Sequence, residues 1–357
     1  MEIKVTLSEQ RKQKPQDESK LGFGNYFTDH MFLMDYVKGE GWKDARIVPY
    51  GDFSMSPAAM VLHYGQAIFE GMKCYRRQDG GLQLFRPTAN FARMTRSAER
   101  MGMPALDEET ALKGLTKLLE IDQDWGPHSP DTSLYIRPTM IALDPHLGVH
   151  AAHHYLFFII LSPVGAYYAE GLKPVSIYVE DAYVRAVRGG VGFTKCAGNY
   201  GASILAGEAA AQKGYSQVLW LDGVEQKYIE EVGSMNIMFA YGNRIVTPKL
   251  NGSILPGITR DSILKVAAQL GYEVSEERLA IADVFADIKS GKLTEAFGTG
   301  TAAVISPVGH LCWKDEAVTL NNNEIGPVAQ KLYDTLTGIQ WGELPDNKGW
   351  IVPVCEG

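Results

Sequence analysis

Lys195 stands in the stretch GGVGFTKCAGNYGAS, residues 189–203, where five glycines surround a single lysine. A lysine that only solvates a surface needs no such setting. Among close backbones its ammonium can clamp a phosphate, or, once desolvated, act as a nucleophilic amine in Schiff-base chemistry; it can also be purely structural. The Walker phosphate loop is excluded, because Phe193 and Thr194 precede the lysine and Cys196 follows it. Phe193 and the small neighbours favour partial desolvation, which lowers the amine pKa.

Other segments supply complementary chemistry. EEVGSMN, residues 230–236, ends a strand with Glu230 and Glu231, and alternation predicts that only one carboxylate points inward. In LPGITR, residues 255–260, Pro256-Gly257 makes a turn, so that Ile258 and Thr259 open a helix. The N–H groups and positive dipole end there suit a phosphate, although a simple capped helix reads the same way. GTGTAA, residues 298–303, formally fits the dinucleotide fingerprint G-x-G-x-x-A. That fingerprint requires a helix immediately after it, whereas VISPVGHLCW reads as a strand broken by Pro307. A nicotinamide site on Gly298 and Gly300 is therefore disfavoured; Thr301 could still present a hydroxyl to an anion, and the alternative is a tight turn. NFARMTRSAERM carries Arg93, Arg96 and Arg100 at i, i+3 and i+7, the spacing of a solvated, ion-paired face. One of them could turn inward, and spacing does not say which. Amine, phosphate cup and acidic partner together are what pyridoxal phosphate requires.

The elements that must position these groups are a mixture of α and β in both halves, without the regular alternation of a doubly wound sheet. ETALKGLTKLLEI and LPGITRDSILKVAAQLGY have helical apolar periods, the second ended by Gly271. SLYIRPTMIAL and HYLFFIILSP read as strands, HYGQAIFEGMKCYRR as strand and turn, and Gly242-Asn243 as a hairpin turn. With 357 residues, two domains are expected. The Pro/Gly-rich segment SPVGAYYAEGLKP divides the chain into a polar extension (1–20), a small α/β domain (21–161), an interdomain loop (162–174) and a larger cofactor-binding domain (175–357). The polar start is expected to be loose or draped on the surface.

Composition narrows the class. The net charge of −8 argues against nucleic-acid and anionic-membrane partners. No apolar run spans a bilayer, and the N-terminus has no signal-peptide core. Cys74, Cys196, Cys312 and Cys355 lie far apart with no C-x-x-C and no histidine at ligand spacing. Neither a metal site nor a disulfide framework is expected, and a reducing cytoplasm is the simplest compartment.

FTKCAGNYGAS, EEVGSMN, LPGITR, YIRP and IFEGMKCYR resemble, in order and separation, the branched-chain amino acid aminotransferases. The resemblance runs from about Gly22 to the C-terminus and is closest to the longer branch of the family. It implies the type IV fold of pyridoxal-phosphate enzymes: a small α/β domain, a larger pseudo-barrel domain and an active site between them. It implies that Lys195 is the Schiff-base lysine, that Tyr200 meets the cofactor phenolate oxygen, and that Glu231, not Glu230, meets the pyridine nitrogen. Arg93 would bind phosphate together with Ile258, Thr259 and Thr301. Tyr64, Phe69, Tyr135, Arg137 and Tyr167 would line the substrate side, with Thr301 and Ala302 presenting N–H groups to the α-carboxylate. The implied assembly is a homodimer in which Leu147-Gly148-Val149 reach the neighbouring site. The implied reaction moves the amino group of leucine, isoleucine or valine to 2-oxoglutarate, giving glutamate. Where some members carry a redox C-x-x-C, this chain has Ala303 and Ser306, so that thiol regulation should be missing; Ser234 replaces a common threonine and keeps the hydroxyl. The alternatives are a D-amino acid aminotransferase or an aminodeoxychorismate lyase on the same fold, an NAD-dependent dehydrogenase, and a silent binding module in which Lys195 is structural.

Overall fold

The structure, a computed structural model, describes residues 1–165 and 172–356. The first half runs β1 (Lys4–Val5), β2 (His30–Val37), β3 (Gly41–Pro49), α1 (Met60–Tyr64), β4 (Ala67–Phe69), β5 (Met72–Arg76), β6 (Leu82–Phe85), α2 (Pro87–Arg100), α3 (Glu108–Ile121), β7 (Ser133–Ala142) and β8 (His154–Val164). It continues through β9 (Val175–Glu180), α4 (Ala197–Gly201), α5 (Ile204–Gln212), β10 (Gln217–Leu221), β11 (Ile229–Val232), β12 (Met235–Tyr241) and β13 (Arg244–Pro248). The chain ends with α6 (Ile258–Gln269), β14 (Glu273–Glu277), α7 (Ile281–Lys289), β15 (Glu295–Gly300), β16 (Val304–Trp313), β17 (Glu316–Thr319), α8 (Pro327–Trp341) and β18 (Ile351–Cys355).

Described residues 1–165, 194–197 and 339–356 form one compact unit; 172–193 and 198–338 form the other. The units are not consecutive in sequence, unlike the linear boundaries expected from the Pro/Gly-rich segment. Residues 194–197 join the first unit because Phe69 N donates to Lys195 O (3.0 Å) and Cys196 bridges to Ile68. The C-terminal strand joins it through antiparallel pairing of β18 with β6. Ser162, Pro163 and Val164 continue β8 opposite Tyr135, Leu134 and Ser133 rather than beginning a loop.

The first unit is built on one sheet, in the order β1-β3-β2-β8-β7-β5-β6-β18, with β4 on β7. Strands β7 and β8 are central and buried along most of their length, which is why YLFFIIL is a continuous apolar run. The N-terminal segment is not loose. Strand β1 pairs in parallel with β3, Ser8 N donates to His30 Nε2 (2.9 Å), and Lys12 N donates to Asp29 Oδ1 (2.7 Å). An open sheet edge accepts any extended backbone, so a polar sequence can be ordered there without an apolar pattern. His63 and Tyr64, read as strand and turn, instead end the five-residue helix α1, too short to show a period.

In the second unit, hydrogen-bonded pairs run β11-β10-β9-β16-β15-β12, and β12 pairs again with β11, closing six strands into a barrel. Closure leaves those strands no open edge. On one strand face, Ile177, Val179, Leu219, Leu221, Ile237 and Phe239 pack with Ile281, Val284, Phe285 and Ile288 of α7. On the opposite face, Val218 and Trp220 meet Ala206 and Ala210 of α5, whose small side chains allow close approach. GTGTAA covers the end of β15 and the turn into β16, with Gly300 opposite Val304. A strand follows it, not a helix, which removes the dinucleotide reading. Residues Gly242 and Asn243 make the two-residue β12–β13 turn expected from sequence.

Candidate active site

In the first unit, the backbone of Lys195 is held from two sides: its carbonyl accepts from Phe69 N, and its N–H donates to Ser97 Oγ (3.1 Å). Its ammonium lies 4.8 Å from the Phe69 ring centroid. Burial lowers the amine from 10.5 to about 8; the charge of Arg93 acts in the same direction and that of Glu70 opposes it. Helix α2 supplies the surroundings. Asn90, Arg93 and Ser97 fall at i, i+3 and i+7 and are buried, while Arg96 and Arg100 are exposed, which resolves the three-arginine spacing in favour of Arg93. Arg93 donates from Nε to Glu70 Oε1 (2.8 Å) and from Nη2 to Oε2 (2.7 Å), and Asn90 Nδ2 adds a third bond (2.9 Å). Burial pushes the Glu70 carboxyl up, but the charge and hydrogen bonds of Arg93 outweigh it, with Lys195 adding, so the group lies below the ordinary carboxylate value.

Tyr135 and Arg137 share a face of β7. Arg137 Nη2 donates to the Tyr135 hydroxyl (3.0 Å), and the guanidinium lies 4.6 Å from the Phe69 ring centroid and 5.3 Å from that of Tyr135. Its Nε is buried without a hydrogen-bond partner among the described residues. Phe23 sits edge-on to Tyr135 at 4.8 Å. A Cβ on Gly71 would lie 2.1 Å from the Tyr135 hydroxyl, so the EGMK segment needs glycine at that place. Lys195, Phe69, Arg93, Tyr135 and Arg137 are therefore one constellation. Tyr64 (39% exposed), Leu147 (67%) and Val149 (84%) stand on the surface of this unit instead. Tyr167 lies outside the described residues.

In the second unit, Glu231 Oε2 lies 2.6 Å from Arg185 Nε, while Oε1 accepts from Leu255 N (2.9 Å) and Asn236 Nδ2 (3.3 Å). Arg185 is fixed in turn by donating to the carbonyls of Gly192 (3.2 Å) and Ser253 (3.1 Å). The expectation of a single inward carboxylate does not hold. Glu230 is equally buried, bonded to Asn251 Nδ2 (2.8 Å) and to the Ser253 hydroxyl. Alternation does send the two to opposite faces of β11, but both faces are covered. Helix α6 starts at Ile258 as read from sequence, and its N-cap, Gly257, gives no side-chain cap. A Cβ there would lie 2.1 Å from Asn236 Oδ1. Ile258 and Thr259 are buried in the first turn, Thr301 and Ala302 occupy the β15–β16 turn, and Tyr200 lies in α4.

Glu70, Asn90, Ser97, Phe23, Arg185 and Asn236 were not singled out from sequence. The period of α2 carries a signal for Asn90 and Ser97, which flank Arg93 on its face. Arg185 and Glu231 are distant in the chain, and no local pattern joins them.

The Amino-transferase class IV family model matches residues 67–311. Branched-chain-amino-acid aminotransferase 2 of Bacillus subtilis (strain 168) is 56% identical over 353 residues, 99% of this chain and 97% of that protein. The chain belongs to the branched-chain-amino-acid aminotransferases of class IV. A probable member from Staphylococcus aureus (strain N315) is 58% identical over 99% of this chain and 98% of its own length. Among solved structures, the branched-chain amino acid aminotransferase of Escherichia coli superposes with a TM-score of 0.75 at 28% identity, covering 90% of this chain and 99% of that one. The mixed α/β fold with a sheet barrel is that of the type IV aminotransferases. Among the described residues no helix is long and apolar enough to cross a membrane.

Proposed function

We propose that Lys195 holds pyridoxal 5'-phosphate and moves the substrate α-proton in the reversible transfer of the amino group of leucine, isoleucine or valine to 2-oxoglutarate. The carrying observation is the lysine itself: an amine lowered to about 8 beside the buried Glu70–Arg93 pair. The chain's residues fit the cofactor. It needs an amine that loses its proton near neutrality, donors for a phosphate and an anion for a ring nitrogen, and Lys195, the N-terminal turn of α6 and buried Glu231 are of those kinds. When bound, the cofactor supplies an electron sink for the pair left at the substrate Cα after deprotonation.

The chain's own groups do the rest. Lys195 Nζ would take the proton from the substrate Cα and hold it for return. Glu231, held by Arg185, Asn236 and Leu255 N, keeps a proton on the ring nitrogen. Arg93 binds phosphate with Ile258, Thr259 and Thr301, and Glu70 orients its guanidinium. Tyr200 donates to the phenolate oxygen. The Thr301 and Ala302 N–H groups hold the α-carboxylate. Phe69 and Tyr135 wall the side-chain pocket. The unpartnered Nε of Arg137 is the donor for the second carboxylate of glutamate, and the Phe69 face gives its guanidinium a resting place when an apolar side chain enters.

The working assembly is a homodimer in which Leu147 and Val149 reach the neighbouring subunit; the exposure of these two apolar side chains supports it. Four cysteines without a disulfide among the described residues support residence in the cytoplasm. A panel of amino donors with 2-oxoglutarate tests the reaction. Turnover with L-leucine, L-isoleucine and L-valine is expected, and turnover confined to D-isomers would overturn the reading. Sedimentation velocity at working concentration should show a dimer; a monomer with full activity would remove the subunit-crossing role of Leu147 and Val149.

A further inference from the structure

The segment after β7, residues 144–154, gathers groups that the aminotransferase chemistry does not use. Asp144 is buried at its start, and one ligand atom each from Asp144, His150 and His153 lies within 4.8 Å of the other two. The Asp144 carboxylate is aimed by backbone donors: Oδ1 accepts from His153 N (3.0 Å) and His154 N (2.7 Å), and Oδ2 from His153 N (2.9 Å). His150 Nδ1 lies 2.7 Å from the Gly148 carbonyl. A carbonyl only accepts, so Nδ1 carries the ring proton and the neutral ring presents the Nε2 lone pair. That lone pair faces Asp144 Oδ2 at 3.3 Å. Two acceptors then face each other, a geometry that a bridging metal ion would complete. His153 Nδ1 is 3.8 Å from the same carboxylate oxygen, too far for a hydrogen bond and close enough for an ion to bridge.

We propose that Asp144 Oδ2, His150 Nε2 and His153 Nδ1 bind one divalent transition-metal ion of the zinc class, with water in the remaining position. The donor set of two imidazoles and a carboxylate suits such an ion. A tetrahedron with bonds of roughly 2.0–2.1 Å has ligand-to-ligand edges of about 3.3 Å, and the His150–Asp144 separation is 3.3 Å without adjustment. The Gly148 carbonyl on His150 and the backbone N–H groups on Asp144 are the outer-shell contacts that orient metal ligands. The sequence places His150 and His153 three apart in HAAHH, and a turn rather than a helix brings them to Asp144. A bound ion would hold the turn that carries Leu147 and Val149.

The test is calorimetric titration of the holoenzyme with zinc chloride in a non-chelating buffer. One equivalent per protomer is expected. His150→Gln and His153→Gln should each weaken it by at least roughly a hundredfold, since losing a ligand costs more than losing an outer-shell partner. His154→Gln is the control, because His154 Nε2 pairs with Asp35 (3.1 Å) instead; its binding should match the unaltered protein. Circular dichroism and the visible absorbance of the bound cofactor report that each variant is folded and loaded. No zinc binding by the unaltered protein would overturn the assignment. Binding that survives both ligand substitutions would overturn it too, by placing the ion elsewhere.

Discussion

Each unit holds a buried arginine–carboxylate pair, and the two differ in how arginine and acid meet. In Glu70–Arg93 the guanidinium is gripped by both carboxylate oxygens in a bidentate contact, with Asn90 as a further donor to the acid. In Glu231–Arg185 the contact runs through the arginine Nε alone, Leu255 N and Asn236 complete the acid, and the arginine is tied as well to two carbonyls. Burial is similar in both. In the function proposed above, the first pair orients a cation toward phosphate and the second an anion toward a ring nitrogen.

The largest effect should come from the lysine beside the first pair. Lys195→Ala should abolish turnover and the visible absorbance of lysine-bound cofactor while leaving circular dichroism unchanged; near-normal transamination with that absorbance retained would falsify the assignment.

The two pairs can then be set against each other. Glu70→Gln and Glu231→Gln should both lower the stability of the cofactor-free protein by about 3–5 kcal/mol, because each leaves a guanidinium buried without its counter-charge. Their kinetics should diverge. Glu70→Gln should weaken cofactor binding roughly ten- to hundredfold, with half-reaction rates restored at saturating cofactor. Glu231→Gln should slow both half-reactions even when saturated, and far more than Glu230→Gln, whose partners Asn251 and Ser253 lie on the other face of β11. Equal slowing by the two strand neighbours would remove the special place of Glu231.

Arg137→Met asks whether a third arginine serves substrate alone. Loss of one charge-assisted contact, worth about 1.5–3 kcal/mol, should raise the KM for glutamate and 2-oxoglutarate roughly ten- to hundredfold and that for leucine far less. Half-reactions run with each donor separately decide it; a matched loss would assign Arg137 to the common α-carboxylate or to structure.

The smallest effect is a pH dependence. With the Lys195 amine at about 8, roughly one-tenth is neutral at pH 7 and about nine-tenths at pH 9, so capture of added cofactor by the cofactor-free protein should accelerate about tenfold over that interval and then level off. The sign follows from a lowered lysine pKa: between about 8 and 10.5 the unfolded chain holds a proton that the native state has released. The cofactor-free protein should therefore gain stability as pH rises through that window. A capture rate still climbing beyond pH 10 would mean an amine unaffected by its surroundings.

Much of this molecule is local and was legible as such. The periods of α2, α3 and α6, the Gly242-Asn243 turn and the apolar run of β8 follow from side-chain spacing, because each is stabilised by contacts that repeat along the chain. The lysine's chemical suitability was legible too, since glycine and small neighbours announce close backbones around it. Tertiary structure decided what those residues touch. It chose Arg93 over Arg96 and Arg100 by turning one face of α2 toward Glu70, and it brought Arg185 to Glu231. It buried Glu230 as deeply as Glu231 because both faces of a barrel strand are covered, where an alternating pattern presumes that one is wet. It ordered a polar N-terminal segment along the β3 edge, and it folded Asp144, His150 and His153 onto one point. Pairings such as Arg185 with Glu231 and Arg93 with Glu70 depend on separations in space that chain distance does not encode, so no periodicity could have shown them.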